Sequence, residues 1–255
     1  MSKRTLVVHQ DKDRLIRDGA RRFTAALNEL LAERARVDVA LSGGSAARPL
    51  GLVADQPDAS GIDWTRVHFW FSDERFVPAD HPDRNALEAR RLLLDRLVES
   101  GALPSSNIHE MPADATGAGD VEQAARDYEE ELLRELGPEP AIDLMILGMG
   151  PDGHYASLFP ASSGHHEVDV TDRLAVGVAD SPKPPPLRVS MTAPLIARSR
   201  RTWFFVSGAN KADALAHVLA AGDGRPADPE YPASYADGVE ECLWLMDADA
   251  ANGSH

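Results

Sequence analysis

The chain has one cysteine and no long hydrophobic run, and each shortage excludes a class of protein. The single cysteine, Cys242, rules out an intrachain disulfide and favours a reducing compartment. No apolar stretch approaches the ~18 residues of a membrane span, and the apolar run at residues 6–8 is too short for a signal peptide. The sequence therefore predicts a cytoplasmic protein without a membrane partner.

Cationic residues are also scarce. The chain has 26 Lys and Arg against 41 Asp and Glu, which gives a formal net charge of −15. Such a chain repels polyanions, so no nucleic-acid partner is expected. A small anionic ligand is still compatible with this charge, provided that a few cations are concentrated at one place.

The rest of the composition is typical of a folded globular protein. Hydrophobic residues make up 43% and charged residues 26% of the 255 residues, which argues against disorder, a collagen repeat or a coiled coil. A chain of this length buries enough surface to fold without a metal or disulfide. No segment rich in Gly, Pro or Ser separates two cores, so residues 1–255 are expected to form a single domain.

Short apolar runs alternate with helical patterns along the chain. Strands are predicted at residues 5–8, 37–41, 67–71, 142–147, 174–178, 187–191, 202–206 and 242–246. Helices are predicted at residues 11–34, 46–54, 85–99, 121–136 and 211–221, with Asn85 as an N-cap. This alternation indicates an α/β fold with an open, mostly parallel sheet. In such sheets ligands bind beyond the carboxyl ends of the strands, so the residues that follow each strand are of most interest.

A glycine-rich turn follows the strand at residues 37–41. Its sequence is Ser42-Gly43-Gly44-Ser45, in which the glycines let the backbone approach a ligand and Ser45 adds a hydroxyl donor. The turn lacks the Gly-Lys-Ser/Thr ending of a Walker nucleotide loop. Two interpretations stay open, a phosphate-binding loop and a plain strand-to-helix turn.

A second glycine-rich segment follows the strand at residues 142–147. Residues 148–154 read Gly-Met-Gly-Pro-Asp-Gly-His, which contains the GxGxxG pattern of dinucleotide-binding folds. Pro151, the mid-chain position and the early Pro160 all count against that interpretation. His154 is placed where an imidazole is able to take a proton from water near neutral pH, although a hydrogen-bonded loop histidine remains the alternative.

Charged residues follow other strands. Asp73 and Arg75 come directly after residues 67–71, where they form either an acid–base pair with a cation or a solvated turn. Lys183 and Arg188 lie in a proline-rich run whose stiffness suits anion binding, and Lys211 follows residues 202–206. Four cations at strand ends of an acidic chain suggest a small phosphorylated ligand.

These segments together resemble the 6-phosphogluconolactonase family over nearly the whole chain. The matching segments are Leu-Ser-Gly-Gly-Ser at 41–45, Ser-Asp-Glu-Arg-Phe-Val-Pro at 72–78, Leu-Gly-Met-Gly-Pro-Asp-Gly-His at 147–154, Ala-Ser-Leu-Phe-Pro at 156–160 and Ser-Pro-Lys-Pro-Pro-Pro at 181–186. The chain departs from the family at Ala46-Ala47, where Thr-Pro is usual, at Arg84, where Ser is usual, and at Tyr155, where Thr is usual. The first departure removes a hydroxyl from the phosphate loop.

The resemblance implies a Rossmann-like α/β fold with helices on both faces of the sheet, similar to glucosamine-6-phosphate deaminase. It implies hydrolysis of 6-phosphogluconolactone to 6-phosphogluconate in the oxidative pentose phosphate pathway. The expected partner is this small sugar-phosphate lactone, and no cofactor or metal is expected. The chain is expected to be a monomer or a small homo-oligomer.

A mechanism follows as a hypothesis. His154 acts as the general base, and Asp73 or Asp152 orients it. Arg75 and backbone N–H groups near Gly150 stabilise the oxyanion. The residues assigned to substrate and phosphate binding are Gly43, Gly44, Ser45, Arg188 and Lys211, with Lys183 as a further cation.

Other functions remain open at this stage. A glucosamine-6-phosphate deaminase would use the same phosphate site, but that family carries Phe-Asn-Glu-Pro where residues 157–160 read Ser-Leu-Phe-Pro. A sugar-phosphate sensor without activity and a dinucleotide-binding protein are further alternatives. His165 and His166 are considered as metal ligands beside His154, but no carboxylate or cysteine has matching spacing.

Overall fold

The computed structural model describes residues 4–221 and 225–252. The strands are β1 (Arg4–His9), β2 (Val37–Leu41), β3 (Val67–Phe71), β4 (Asp73–Arg75), β5 (Leu144–Gly148), β6 (Ala175–Val178), β7 (Arg188–Met191), β8 (Arg201–Val206) and β9 (Glu241–Asp247). The α-helices are α1 (Lys12–Glu33), α2 (Asn85–Ala89), α3 (Asp95–Glu99), α4 (Val121–Leu136), α5 (Ala193–Ala197), α6 (Ala212–Ala220) and α7 (Ala248–Ala251). A π-helical turn, Arg90–Leu94, joins α2 to α3.

The main sheet confirms the predicted α/β class. Within the described residues it has six strands in the order β1-β9-β8-β5-β2-β3, and all its pairings are parallel. Every residue of β2 is buried, as expected for a central strand covered on both faces. In the part of the chain that the structure describes, no helix is long and apolar enough to cross a membrane.

Two predicted strands do not belong to the parallel sheet. The runs at 174–178 and 187–191 form β6 and β7, which pair antiparallel with each other and with β4 in a three-stranded sheet. Their expected place in the parallel series is therefore wrong. The connecting residues 179–187 are too few for a parallel crossover, which needs a dozen or more residues, whereas an antiparallel pair accepts a short loop.

The segment that follows β2 also differs from its prediction. Residues 46–54 were expected to form a short helix, but the chain makes two 3₁₀ segments, Gly44–Ala46 and Arg48–Asp55. Pro49 lies in the first turn of the second segment, where its missing N–H costs no internal hydrogen bond. The tight winding keeps the glycine turn close to the sheet edge.

The start of α2 is capped by a residue from another element. Asn85 was predicted as the N-cap, but Arg84 occupies that position and its side chain makes no cap. Instead, the Glu74 carboxylate of β4 accepts hydrogen bonds from the backbone N–H groups of Asn85 and Ala86, at 2.8 and 2.9 Å. Burial raises the pKa of Glu74, although the charge of Arg84 and these hydrogen bonds oppose the rise. Because Glu74 caps the helix, the Asn85 side chain is left to make other contacts.

A buried tyrosine fastens α4 to the edge strand β3. The Tyr128 hydroxyl donates to the Phe71 carbonyl oxygen and accepts from the Phe71 N–H, both at 3.0 Å. The hydroxyl thereby satisfies both main-chain groups of Phe71 on the open side of the strand. Tyr155 is equally buried, but its hydroxyl has no hydrogen-bond partner in the described structure.

These two tyrosines give a matched test of stability. We expect Tyr128→Phe to lower the free energy of unfolding by ~1–3 kcal/mol, because it leaves two buried main-chain groups unpaired. Tyr155→Phe removes only an unpaired hydroxyl, so it is expected to be neutral or stabilising. Urea unfolding of both variants measures the difference. Equal losses in the two variants would contradict the role given to the Tyr128 hydroxyl.

Candidate active site

A cavity of about 220 Å³ opens at the carboxyl ends of the parallel strands. It brings together loops that follow β2, β3, β5 and β8, as open α/β sheets do. The residues predicted from the sequence that line it are Gly43, Gly44, Ser45, Asp73, Arg75, His154, Arg188 and Lys211. Asp152 and Lys183 lie behind this lining and contact His154.

His154 is held by the carboxylate two residues before it. Its Nδ1 lies 2.5 Å from Asp152 Oδ1, and the ring packs on Phe159 with centroids 4.9 Å apart. Burial alone would raise the pKa of Asp152, but the hydrogen bond to His154 and the charges of His154 and Lys183 hold it well below its usual range. An ionised Asp152 only accepts, so Nδ1 is the nitrogen that donates, and in the neutral imidazole this leaves the lone pair on Nε2.

Gly150 leaves the room that this contact needs. A Cβ at this position would lie 2.0 Å from His154 Nδ1 and 2.5 Å from Asp152 Oδ1. The Gly150 N–H donates to the His154 carbonyl oxygen at 2.9 Å, which closes the turn. This N–H was expected to help hold an oxyanion, but the structure engages it inside the turn.

Asp73 makes its contacts elsewhere. It is buried, and its Oδ2 accepts a hydrogen bond from the completely buried Ser157 hydroxyl at 2.7 Å. Its Oδ1 faces Ser42 Oγ at 3.3 Å and Asn85 Nδ2 at 3.3 Å. Of the two carboxylates proposed from the sequence, the one in contact with His154 is therefore Asp152.

Asn85 is a cavity residue that the sequence did not reveal. Its Nδ2 donates to the Asp73 carbonyl oxygen at 2.8 Å, while its buried Oδ1 has no hydrogen-bond partner in the described residues. A Cβ on Gly43 would lie 2.0 Å from this Oδ1, so the glycine is needed for the close approach. An asparagine at a helix start gives the same sequence signal as a cap, which hid this position.

The glycine turn is already in contact with an anion. The Gly44 N–H, at a residue with φ +66°, donates to Glu88 Oε2 at 3.0 Å. The Ser45 hydroxyl donates to the Phe205 carbonyl oxygen at 3.2 Å, which ties the turn to β8. Glu88 was not identified from the sequence, since an acidic residue on a surface helix is unremarkable there.

Three cations line the cavity with incomplete pairing. The Lys211 ammonium group has no hydrogen bond or ion pair with any residue in ranges 4–221 and 225–252, and burial together with nearby lysines lowers the pKa of Lys211. Arg188 stands opposite Arg75 in the β4–β7 pairing, and burial and this neighbour lower the pKa of Arg188. Buried Arg75 Nε has no partner, while its Nη1 donates to the Asp83 carbonyl oxygen. Such a set attracts an anion.

Lys183 was expected among the phosphate-facing cations, and the structure brings it into contact with Asp152 and His154, outside the cavity lining but close enough to Lys211 to lower the pKa of that lysine. Lys183 Nζ is 3.2 Å from Asp152 Oδ1 and 3.0 Å from His154 Nδ1. Its side chain is 38% exposed. The structure therefore places this cation on the histidine–carboxylate pair.

The histidines considered as metal ligands have other partners. His165 Nδ1 faces Glu167 at 3.3 Å, and exposed His166 lies 3.9 Å from Asp169. Outside residues 1–3, 222–224 and 253–255, no three His, Cys, Asp or Glu side chains group in a way that could hold a metal ion.

The structure is an α/β fold with a cation-lined cavity at the carboxyl ends of its parallel strands. Residues 10–244 match the family described as glucosamine-6-phosphate isomerases/6-phosphogluconolactonase, and the chain belongs to this family.

Named relatives and solved structures agree with this membership. The chain is 39% identical over 254 residues to a 6-phosphogluconolactonase of Streptomyces coelicolor, covering 97% of this chain and 93% of that protein. It is 40% identical to one of Mycobacterium leprae, covering 96% of each. The crystal structure of 6-phosphogluconolactonase from Thermotoga maritima matches with a TM-score of 0.79 and 28% identity, covering 96% of this chain and 100% of that one.

Gly150 gives a test of the site geometry. We expect Gly150→Ala to break the hydrogen bond between His154 and Asp152, because the methyl group occupies their space. Nitrogen NMR of the imidazole measures the loss as a mixture of tautomers in place of a single Nδ1–H form. Gly148→Ala is the matched control, since the atom nearest to its new methyl group, Ser45 Oγ, would be 3.7 Å away. An unchanged tautomer in Gly150→Ala would contradict the geometry.

Proposed function

We propose that the chain, as a lactone-hydrolysing hydrolase of this family, converts 6-phospho-D-glucono-1,5-lactone to 6-phospho-D-gluconate. This is the step of the oxidative pentose phosphate pathway that its relatives are named for. The observation that supports the proposal is that a histidine and an unpaired cation line one cavity. His154 with its unbound Nε2 lines the same cavity as the unpaired cation Lys211.

The first step is the attack of water on the lactone carbonyl. His154 Nε2 takes one proton from the water while its oxygen forms a bond to C1, and the carbonyl electrons move onto oxygen. Asp152 keeps the proton on Nδ1 and stabilises the imidazolium that forms. A lactone is an activated ester, so this route needs no covalent intermediate and no metal ion.

The second step opens the ring. The oxyanion collapses to a carboxyl group, the bond from C1 to the ring oxygen breaks, and the imidazolium returns its proton to that oxygen. The Arg75 guanidinium, whose buried Nε has no protein partner, supplies positive charge for the oxyanion. The new carboxyl group releases a proton to solvent, so water and lactone give 6-phosphogluconate and H⁺.

We assign the phosphate to the remaining donors of the cavity. The Lys211 ammonium group has no partner, Arg188 Nη1 makes no hydrogen bond to the described protein, and Ser45 lines the same cavity soon after the end of β2. Charge-assisted bonds to phosphate hold the sugar so that C1 faces His154. Under this proposal, much of the energy of substrate binding comes from the phosphate, which does not take part in the reaction.

The deciding experiment follows freshly made 6-phosphogluconolactone with and without protein, after subtraction of spontaneous hydrolysis. We expect acceleration in the presence of a chelator, and a large preference over unphosphorylated gluconolactone. A parallel assay of glucosamine-6-phosphate deamination is expected to show no ammonia release. Deamination without lactonase activity, or equal rates on both lactones, would refute the proposal.

The role of His154 gives a quantitative prediction. His154→Asn is expected to lower kcat by roughly 10²–10⁴-fold, because it removes the general base. The dissociation constant of 6-phosphogluconate should change little, since His154 does not hold the phosphate. His166→Asn, an exposed histidine outside the cavity, is the control and should behave as wild type. A near-normal kcat in His154→Asn would remove the assignment.

Lys211 gives a prediction on pH. Because burial lowers its pKa below the ordinary lysine value of about 10.4, Lys211 loses its charge as alkaline pH is approached. Binding of 6-phosphogluconate should therefore weaken on raising the pH from 7 to 10, although the phosphate is largely a dianion at pH 7 and gains the rest of its charge above it. Calorimetry measures this, and Lys211→Arg should bind independently of pH over the same range. Identical profiles for both proteins would contradict a phosphate contact by Lys211.

A further inference from the structure

Lys183 occupies a position that phosphate binding does not explain. Its Nζ lies 3.2 Å from Asp152 Oδ1 and 3.0 Å from His154 Nδ1, whereas the cavity lining does not include it. Nδ1 already donates to Asp152, so Lys183 donates to the same carboxylate oxygen. Asp152 Oδ1 thus receives a hydrogen bond from the imidazole and one from the ammonium group.

The loop that carries Lys183 is fixed by its own side chains. The Ser181 hydroxyl donates to the Lys183 carbonyl oxygen at 3.0 Å, and the Ser181 N–H donates to the Pro186 carbonyl oxygen at 2.9 Å. Arg188 Nη2 donates to the Lys183 carbonyl oxygen at 3.0 Å, and its Nε donates to the Pro185 carbonyl oxygen at 2.8 Å. The backbone below the ammonium group is therefore held in place from two sides.

The charge of Lys183 opposes an effect of Asp152 on His154. A carboxylate alone beside an imidazole stabilises the imidazolium, and a histidine that rests protonated is unable to take a proton from water. A cation at the same oxygen offsets that stabilisation while leaving the Nδ1–H tautomer fixed. The other charged groups that face His154, across the cavity, are Arg75, Lys211 and Asp73.

We propose that Lys183 is a positioning residue that keeps His154 neutral and ready to accept a proton, by sharing the Asp152 carboxylate with it. This inference rests on the proposed function for its effect on rate. Its effect on the protonation of His154 is measurable whether or not the lactone is the substrate.

The test compares wild type, Lys183→Met and Lys183→Arg. In Lys183→Met we expect the acidic limb of the kcat/KM profile to move upward by about one pH unit, since a like charge has been removed from the imidazole. An NMR titration of His154 should show the same upward displacement. The dissociation constant of 6-phosphogluconate should stay within about twofold of wild type, and Lys183→Arg should restore most of the acidic limb.

A chemical rescue separates charge from packing. Lys183→Cys treated with 2-bromoethylamine regains an ammonium group at nearly the original length, and the wild-type pH profile should return with it. The natural Cys242 is buried, and burial raises its pKa to about 11, so wild type treated in the same way is the control.

The possible results distinguish failure of the Lys183 inference from failure of the proposed function. A His154 titration that is unchanged in Lys183→Met overturns the inference, and so does a tenfold weaker binding of 6-phosphogluconate with an unchanged pH profile, which would make Lys183 a phosphate contact. Absence of lactonase activity in wild type refutes the proposed function alone. The NMR titration then still decides whether Lys183 acts on His154.

Discussion

The hydrogen bond between Asp152 and His154 is the contact on which the rest of the site depends. It joins residues only two apart, so the backbone must fold back within one turn, and the absent side chain of Gly150 provides the space. The turn follows β5, which the parallel sheet buries, so its position relative to the cavity is set by the core. Once the imidazole is fixed in this way, only Nε2 is left to meet a substrate.

The cavity of this acidic chain brings three incompletely paired cations together. Burial and mutual repulsion oppose the charged forms of Lys211 and Arg188, and the antiparallel sheet brings Arg188 against Arg75. Such an arrangement is electrostatically costly, and the proposed phosphate ligand would lower that cost. The Glu88 carboxylate on the Gly44 N–H shows the same affinity for negative charge at the edge of the cavity.

The sequence predicted the main sheet because each of its strands is a short apolar run and the runs alternate with helical patterns. The same patterns failed for β6 and β7, since a short apolar run does not state which strand it pairs with or in which direction. They also left Asp73 and Asp152 as equal candidates, because the choice depends on the shape of a turn. Lys183 was grouped with the phosphate cations by its residue type and loop, because a sequence does not show that its ammonium group also contacts Asp152 and His154.

The two halves of the proposed reaction come from different elements. His154 and Asp152 follow β5, and Lys183, which shares the Asp152 carboxylate, lies in the proline-rich loop. Lys211 follows β8. The two sets of residues are nevertheless coupled, because Arg188 Nη2 donates to the Lys183 carbonyl oxygen and the charges of Lys183 and Asp152 both act on the pKa of Lys211. Residues this close are not expected to contribute additively, so the proposed proton transfer and the proposed phosphate binding draw on one connected set of charges.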